Sequence, residues 1–101
     1  MKTAAVVLTI WLLFAAPLAQ AVVHKNILTW GPSEWTGVVY RVYKGTQEGG
    51  PYTRIAGGIK KQTYTDLNVT SKQKACYRVT AYQATTKKES GYSPEKCGVT
   101  P

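Results

Sequence analysis

The stretch that most constrains the fold is Ala75–Gln83, which reads Ala-Cys-Tyr-Arg-Val-Thr-Ala-Tyr-Gln. Small and apolar side chains occupy every second position from Ala75 to Ala81, and a more polar set that includes Arg78 lies between them. This period of two predicts a β-strand with one buried side and one solvent-facing side. We therefore expect a sheet to form the centre of the domain.

Five further stretches predict strands, and turns containing glycine, proline or polar residues separate them. No segment of ten residues after position 21 has the 3.6-residue period of a helix, so we expect an all-β sandwich. The five are His24–Trp30, Val38–Lys44, Tyr52–Ala56, Thr63–Leu67 and Tyr92–Thr100. The predicted core is Leu28, Trp30, Tyr40, Val42, Ile55, Tyr64, Leu67, Tyr77, Val79 and Ala81.

Residues 1–21 are typical of a secretory signal peptide. Lys2 precedes an apolar run, Ala4–Phe14, and Ala19-Gln20-Ala21 matches the small-x-small pattern of a cleavage site. The run is too short for an ordinary membrane span, although an uncleaved amino-terminal anchor is the alternative. Cleavage after Ala21 would leave residues 22–101 as one secreted or periplasmic domain without stable membrane insertion.

The chain has two cysteines, Cys76 and Cys97, and both lie in the part that would be exported. An oxidising compartment favours a disulfide between them, and two buried free thiols are the alternative. Antiparallel pairing of 76 with 97 would also place Tyr82 opposite Gly91. Two cysteines and the distant His24 are too few ligands for a metal site, so we expect neither a metal nor a cofactor.

The charge balance and the scattered acid–base residues indicate binding rather than catalysis. Thirteen lysines and arginines oppose five carboxylates, which attracts anionic surfaces or polymers, although plain solubility is the alternative. Export argues against nucleic acid as the primary partner. The single histidine, His24, has no evident set of carboxylate and nucleophile partners, so we do not expect an enzyme.

Several segments together resemble the fibronectin type III domains of bacterial secreted proteins. The resemblance implies an immunoglobulin-like β-sandwich of two antiparallel sheets over residues 22–101, with Trp30 as the core tryptophan of strand B. The segments that carry it are Leu28–Trp30, Tyr40–Thr46, Gly49–Thr53, Thr63–Asp66, Tyr77–Ala81 and Glu89–Ser93.

Two departures from the family pattern are visible. Only Val22–His24 would precede strand B after cleavage, so strand A is expected to be truncated and the edge of strand B exposed. The family also places a tyrosine at the start of strand F, six residues after an apolar anchor. Counted from Val69 that position is Ala75, so the tyrosine is expected to be missing unless Leu67 is the anchor. We expect the disulfide to substitute for the missing tyrosine.

Two surfaces are candidates for ligand binding. Counting strand directions puts three loops at one end of the sandwich, which we call the basic pole: Trp35, Lys60, Lys61, Lys87 and Lys88. The other candidate is the outward side of strands C and F, which are adjacent in this family. We call it the outer face, and its candidate residues are Arg41, Tyr43, Arg78 and Tyr82. Solvated lysines and an ordinary sheet surface are the alternatives.

The sequence thus predicts a secreted, non-enzymatic binding or adhesion module. The expected partner is a protein or an extracellular polysaccharide, with an anionic surface or polymer favoured. A structural subunit that docks through the exposed strand edge is the alternative, and an inhibitor of another secreted protein is a third possibility. The oligomeric state stays open.

Overall fold

Eight β-strands form the regular structure in the computed structural model, which describes the backbone of Trp11–Phe14 and residues 24–101. No helix in these residues is long and apolar enough to cross a membrane. The strands are β1 (Trp11–Phe14), β2 (Asn26–Thr29), β3 (Val39–Gly45), β4 (Thr53–Ile59), β5 (Thr63–Asp66), β6 (Lys74–Gln83), β7 (Lys88–Glu89) and β8 (Lys96–Val99).

The strands form two antiparallel sheets. One has the order β1-β2-β5, and the other has the order β4-β3-β6-β7 with β8 also paired to β6. Side chains from both sheets meet in one apolar core. The prediction of an all-β sandwich of two antiparallel sheets is confirmed, and β6 is its longest strand.

The first strand comes from inside the predicted signal peptide. All four residues of β1 pair with β2, from Trp11 opposite Thr29 to Phe14 opposite Asn26. Strand A is therefore short, but it covers the β2 edge that we expected to be exposed. The rest of the predicted signal peptide, including the site at Ala21, lies outside the described residues. An open β2 edge stays a prediction for a chain cleaved there.

Most of the predicted core is confirmed, and Leu67 is the exception. Trp30 follows β2 and packs edge to face against Tyr40 of the other sheet, with 5.6 Å between ring centroids. Ile55 and Tyr64 are partly buried at the core margin. Leu67 is 66% exposed. It lies three positions after Tyr64, so strand alternation cannot point both side chains inward.

Tyr77 links the two sheets through its buried hydroxyl group. The hydroxyl donates to Asp66 Oδ2 at 2.6 Å and accepts from Asn26 Nδ2 at 2.9 Å. Burial and the Asp66 carboxylate raise the pKa of Tyr77 far above its ordinary value, which keeps it protonated as a donor. Tyr77, rather than the disulfide, thus ties β6 back to the end of β5.

The disulfide between Cys76 and Cys97 is confirmed, and the two residues are directly paired across β6 and β8. The predicted pairing of Tyr82 with Gly91 is wrong, because Tyr82 pairs with Glu89. Two serines cause the shift. Ser90 Oγ accepts from the backbone N–H of Ala81 at 2.8 Å, and Ser93 Oγ accepts from that of Val79 at 2.9 Å. These side chains replace ladder carbonyls and interrupt the last strand between β7 and β8.

Candidate functional site

The three loops of the basic pole lie at the same end of the sandwich. Ile59 pairs with Tyr40 and Tyr82 pairs with Val39, so β4 and β6 both end beside the start of β3. Two hydrogen bonds connect the loops. The N–H of Trp30 donates to the carbonyl of Gln62 at 3.1 Å, and Gln83 Nε2 donates to the carbonyl of Thr36 at 3.0 Å. Loops 60–62 and 84–87 are thereby tied to the 30–38 connection.

The lysines of the basic pole are exposed, and Trp35 is half-buried in the 30–38 connection. Ion pairs among the described residues use Arg41, Lys44 and Lys74, and none of them uses Lys60, Lys61 or Lys87. Glu34 is the single carboxylate that the sequence places in these three loops. The pole therefore presents positive charge that little nearby charge offsets.

The outer face contains the predicted residues, but other residues of the chain already engage the polar groups of Arg41, Tyr43 and Arg78. Glu89 accepts hydrogen bonds from Thr80 Oγ1 at 2.6 Å, from Arg41 Nη1 at 3.2 Å and from the Tyr43 hydroxyl. The Arg41 guanidinium also stacks on the Tyr82 ring, 3.7 Å from its centroid. Arg41 and Tyr43 are therefore already partnered by an internal carboxylate.

A second network holds Arg78. Its guanidinium donates to the Tyr52 hydroxyl at 3.0 Å and to the Ser93 carbonyl at 2.8 Å. The Tyr52 hydroxyl in turn donates to Glu95. Tyr92 lies between the two networks, with its ring centroid 5.1 Å from that of Tyr43 and 5.4 Å from that of Tyr52. This part of the outer face is a connected cluster that braces β3, β6 and the interrupted last strand.

Sequence reasoning missed the carboxylates at the centre of these networks. The sequence did not place Glu89 on the outer face because the predicted register paired Tyr82 with Gly91. In the structure Tyr82 pairs with Glu89, two residues earlier in the chain. Glu95 and Tyr92 reach the outer face only because Ser90 and Ser93 interrupt the last strand. The sequence signal for this interruption was Ser90-Gly91-Tyr92-Ser93, in which two serine hydroxyls flank a Gly-Tyr pair.

The environment of Glu89 predicts an acid-sensitive contribution to stability. Burial raises its pKa, but hydrogen bonds from Thr80 and Tyr43 and the charge of Arg41 outweigh this and lower the pKa below its ordinary 4.5. A lowered carboxyl pKa stabilises the folded state above the unfolded pKa, and that contribution is lost as pH falls through the folded pKa.

We therefore expect Glu89→Gln to lower the free energy of unfolding by about 1 kcal/mol at neutral pH. The difference from wild type should shrink as the pH falls below 4.5 and through the lowered folded-state pKa of Glu89, when measured by urea denaturation. Glu34→Gln is the control, because Glu34 is exposed in the 30–38 connection. A constant difference between Glu89→Gln and wild type at all pH values would contradict this account.

Comparison with solved structures places the chain among known folds. An Fn3-like protein from Clostridium thermocellum matches with a TM-score of 0.74 and 29% identity over 99% of this chain and 96% of its own. The fourth FNIII domain of a human protein matches with a TM-score of 0.71 and 15% identity over 99% of this chain and 81% of its own. A β-1,2-glucanase from Parabacteroides distasonis matches with a TM-score of 0.67 and 26% identity over 95% of this chain and 14% of its own.

Sequence comparison adds a partial match. No family model matches the chain. An amylopullulanase of Thermoanaerobacter thermohydrosulfuricus is 41% identical over 57 residues, which is 56% of this chain. The match spans about 4% of the length of that relative. The two antiparallel sheets and the full-length structural matches together show that this protein has the fibronectin type III fold.

Proposed function

We propose that this protein is a non-enzymatic binding module that attaches to an anionic extracellular polymer through its basic pole. The observation that carries the proposal is the convergence of three hydrogen-bonded loops whose exposed Lys60, Lys61 and Lys87 have no ion pair among the described residues. Exposed loops on a rigid sandwich commonly carry binding sites. The Cys76–Cys97 disulfide supports a secreted or periplasmic location, where such a bond persists.

The basic pole is a better anion site than the outer-face cluster because its charges are available. An incoming anion at Arg41 would compete with Glu89, and one at Arg78 would compete with Tyr52 and the Ser93 carbonyl. Lys60 and Lys61 need only lose water to bind an anion. Trp35 adds an amphipathic ring that can contact the apolar parts of a polymer.

The comparisons favour a polysaccharide as the polymer. A β-1,2-glucanase and an amylopullulanase are named for carbohydrate polymers, and each matches this chain over a small part of its own length. A small module that resembles a minor part of such enzymes fits an accessory binding role better than a catalytic one. The positive charge at the pole selects an acidic polysaccharide within that class.

The test reverses the charge of the pole without altering the core. The variant Lys60→Glu/Lys61→Glu/Lys87→Glu should lower affinity for an acidic polysaccharide by about tenfold or more at low salt, measured by calorimetry and by retention on a polysaccharide-coupled resin. Thermal stability should change little, because these side chains are exposed. Trp35→Ala should weaken binding further without affecting the salt dependence.

A matched control separates the pole from overall charge. Lys25→Glu/Lys72→Glu/Lys96→Glu makes the same change in net charge with exposed lysines near the other end of the sandwich. This control should retain most of the wild-type affinity. An equal loss in both variants would show that net charge, rather than the basic pole, attracts the polymer.

Assembly through the β2 edge is the second candidate function. The observation that favours it is the pairing of all four residues of β2 with β1, another strand of the same chain. Removal of residues 1–21 would expose the same edge to another chain. Light scattering on residues 22–101 at several concentrations distinguishes the two functions. A mass that rises with concentration, without salt-sensitive polysaccharide binding, would favour assembly.

A further inference from the structure

A groove of about 450 Å³ lies on the outer face next to the basic pole. Side chains of three neighbouring strands line it: Arg54 of β4, Val39 and Arg41 of β3, and Tyr82 of β6. Its volume lies within the range of small-molecule sites. The groove is separate from the cluster around Arg78 and Tyr92 and was not apparent from the sequence.

Two glycines of the edge strand β4 keep the groove open. Its pairing with β3 shifts register twice, which bends this edge. Gly58 occupies one shift with a φ of 64°, a conformation that glycine adopts without strain. Gly57 has no such requirement, and a Cβ there would meet only Arg41 Cγ, at 3.7 Å. A Cβ at position 57 therefore meets only an ordinary van der Waals contact, and position 57 lines the groove.

The available positive charge of the groove comes from Arg54, because the second guanidinium group, that of Arg41, is paired with Glu89. Arg54 is exposed, and no ion pair or side-chain hydrogen bond that the structure describes involves it. Guanidinium groups bind carboxylates in planar, two-point geometry. The Tyr82 ring and Val39 supply apolar surface beside them.

We propose that this groove binds one uronic acid residue of an acidic polysaccharide. Arg54 holds the carboxylate, and Tyr82 and Val39 contact the sugar ring. The inference rests on the proposed function for its polymer and adds the sugar class and a second contact site. β4 leads from Gly58 directly to Lys60, so a polymer that leaves the groove at this end passes the basic pole.

The test uses two defined oligosaccharides, tetragalacturonic acid and the neutral maltotetraose, with affinities measured by calorimetry on residues 22–101 and on the full chain. The wild type should bind the acidic tetramer at least about tenfold more tightly than the neutral one. Gly57→Leu should fill the groove and lower the affinity for tetragalacturonic acid by about tenfold or more. Arg54→Gln should lower it by about fivefold or more, without any change of backbone.

Lys96→Gln is the matched control for Arg54→Gln, because it removes one exposed positive charge from β8, which pairs with β6 and does not line the groove. It should bind the acidic tetramer as the wild type does. Equal affinity of wild type, Gly57→Leu and Arg54→Gln for this tetramer would overturn the groove proposal. So would equal affinity of the wild type for the acidic and neutral tetramers. Arg54→Gln keeps the test decisive if Gly57→Leu fails to fold.

The groove and the basic pole can fail independently. Loss of polymer binding in the triple lysine variant, with tetramer binding unchanged in Gly57→Leu and Arg54→Gln, would support the pole and overturn the groove. Loss of tetramer binding in those two groove variants, with full polymer binding in the triple lysine variant, would support the groove and overturn the pole.

Discussion

Replacing Trp30 with alanine is expected to lower the free energy of unfolding by about 3–5 kcal/mol. Trp30 is 4% exposed and packs between the sheets against Tyr40. Its removal leaves a cavity that two short β-sheets cannot readily close. A domain of this size has a total stability of about 5–15 kcal/mol, so the variant should be partly or wholly unfolded. Urea denaturation followed by circular dichroism measures the effect.

Trp35→Ala is the control, because Trp35 is only half-buried in a loop. It should cost less than about 1 kcal/mol. Iodide quenching gives an independent check on residues 22–101, in which Trp30 and Trp35 are the tryptophans. With Trp35 replaced by phenylalanine, the remaining fluorescence should resist iodide. Ready quenching of Trp30 would mean that the register of β2 is wrong by one residue.

Removing the disulfide is expected to have the second-largest effect. Cys76 and Cys97 are 21 positions apart, and a cross-link over such a loop stabilises a domain by about 3 kcal/mol in the chain-entropy model. The cross-link acts by restricting the unfolded chain, so its loss should lower the stability of the whole domain. The variant Cys76→Ala/Cys97→Ala should therefore unfold at a lower urea concentration than the wild type.

A reducing agent provides the matched comparison. It should lower the unfolding midpoint of the wild type towards that of the double variant and leave the double variant unchanged. An equal effect on both proteins would mean that the reductant acts elsewhere. Mass spectrometry of exported protein should find no free thiols, and two free thiols would contradict the disulfide.

The candidate sites differ in how far the sequence could locate them. The basic pole followed from counting strand directions, because antiparallel neighbours bring every second loop to the same end. The groove could not be found in this way. It depends on two register shifts in β4 and on the open space beside Gly57, and a bulge is not visible in a pattern of alternating side chains.

The outer face likewise combines a feature that the sequence predicted with one that it did not. Alternation correctly placed Arg41, Tyr43, Arg78 and Tyr82 on one side of the sheet. It did not show that Glu89 would neutralise Arg41, because the partner of Tyr82 depends on the length of the interruption in the last strand. Two serine hydroxyls set that length by bonding to the backbone of β6.

The sequence by itself determined the β-sandwich, nearly all of its core and the pairing of Cys76 with Cys97. These features depend on local alternation, on apolar side chains and on the presence of only two cysteines. Only the tertiary structure decided the Tyr77–Asp66 link, the carboxylate at the centre of the outer face and the groove beside Gly57. Each of these requires groups from different strands to meet at hydrogen-bond or contact distance, and strand register rather than local pattern sets those distances.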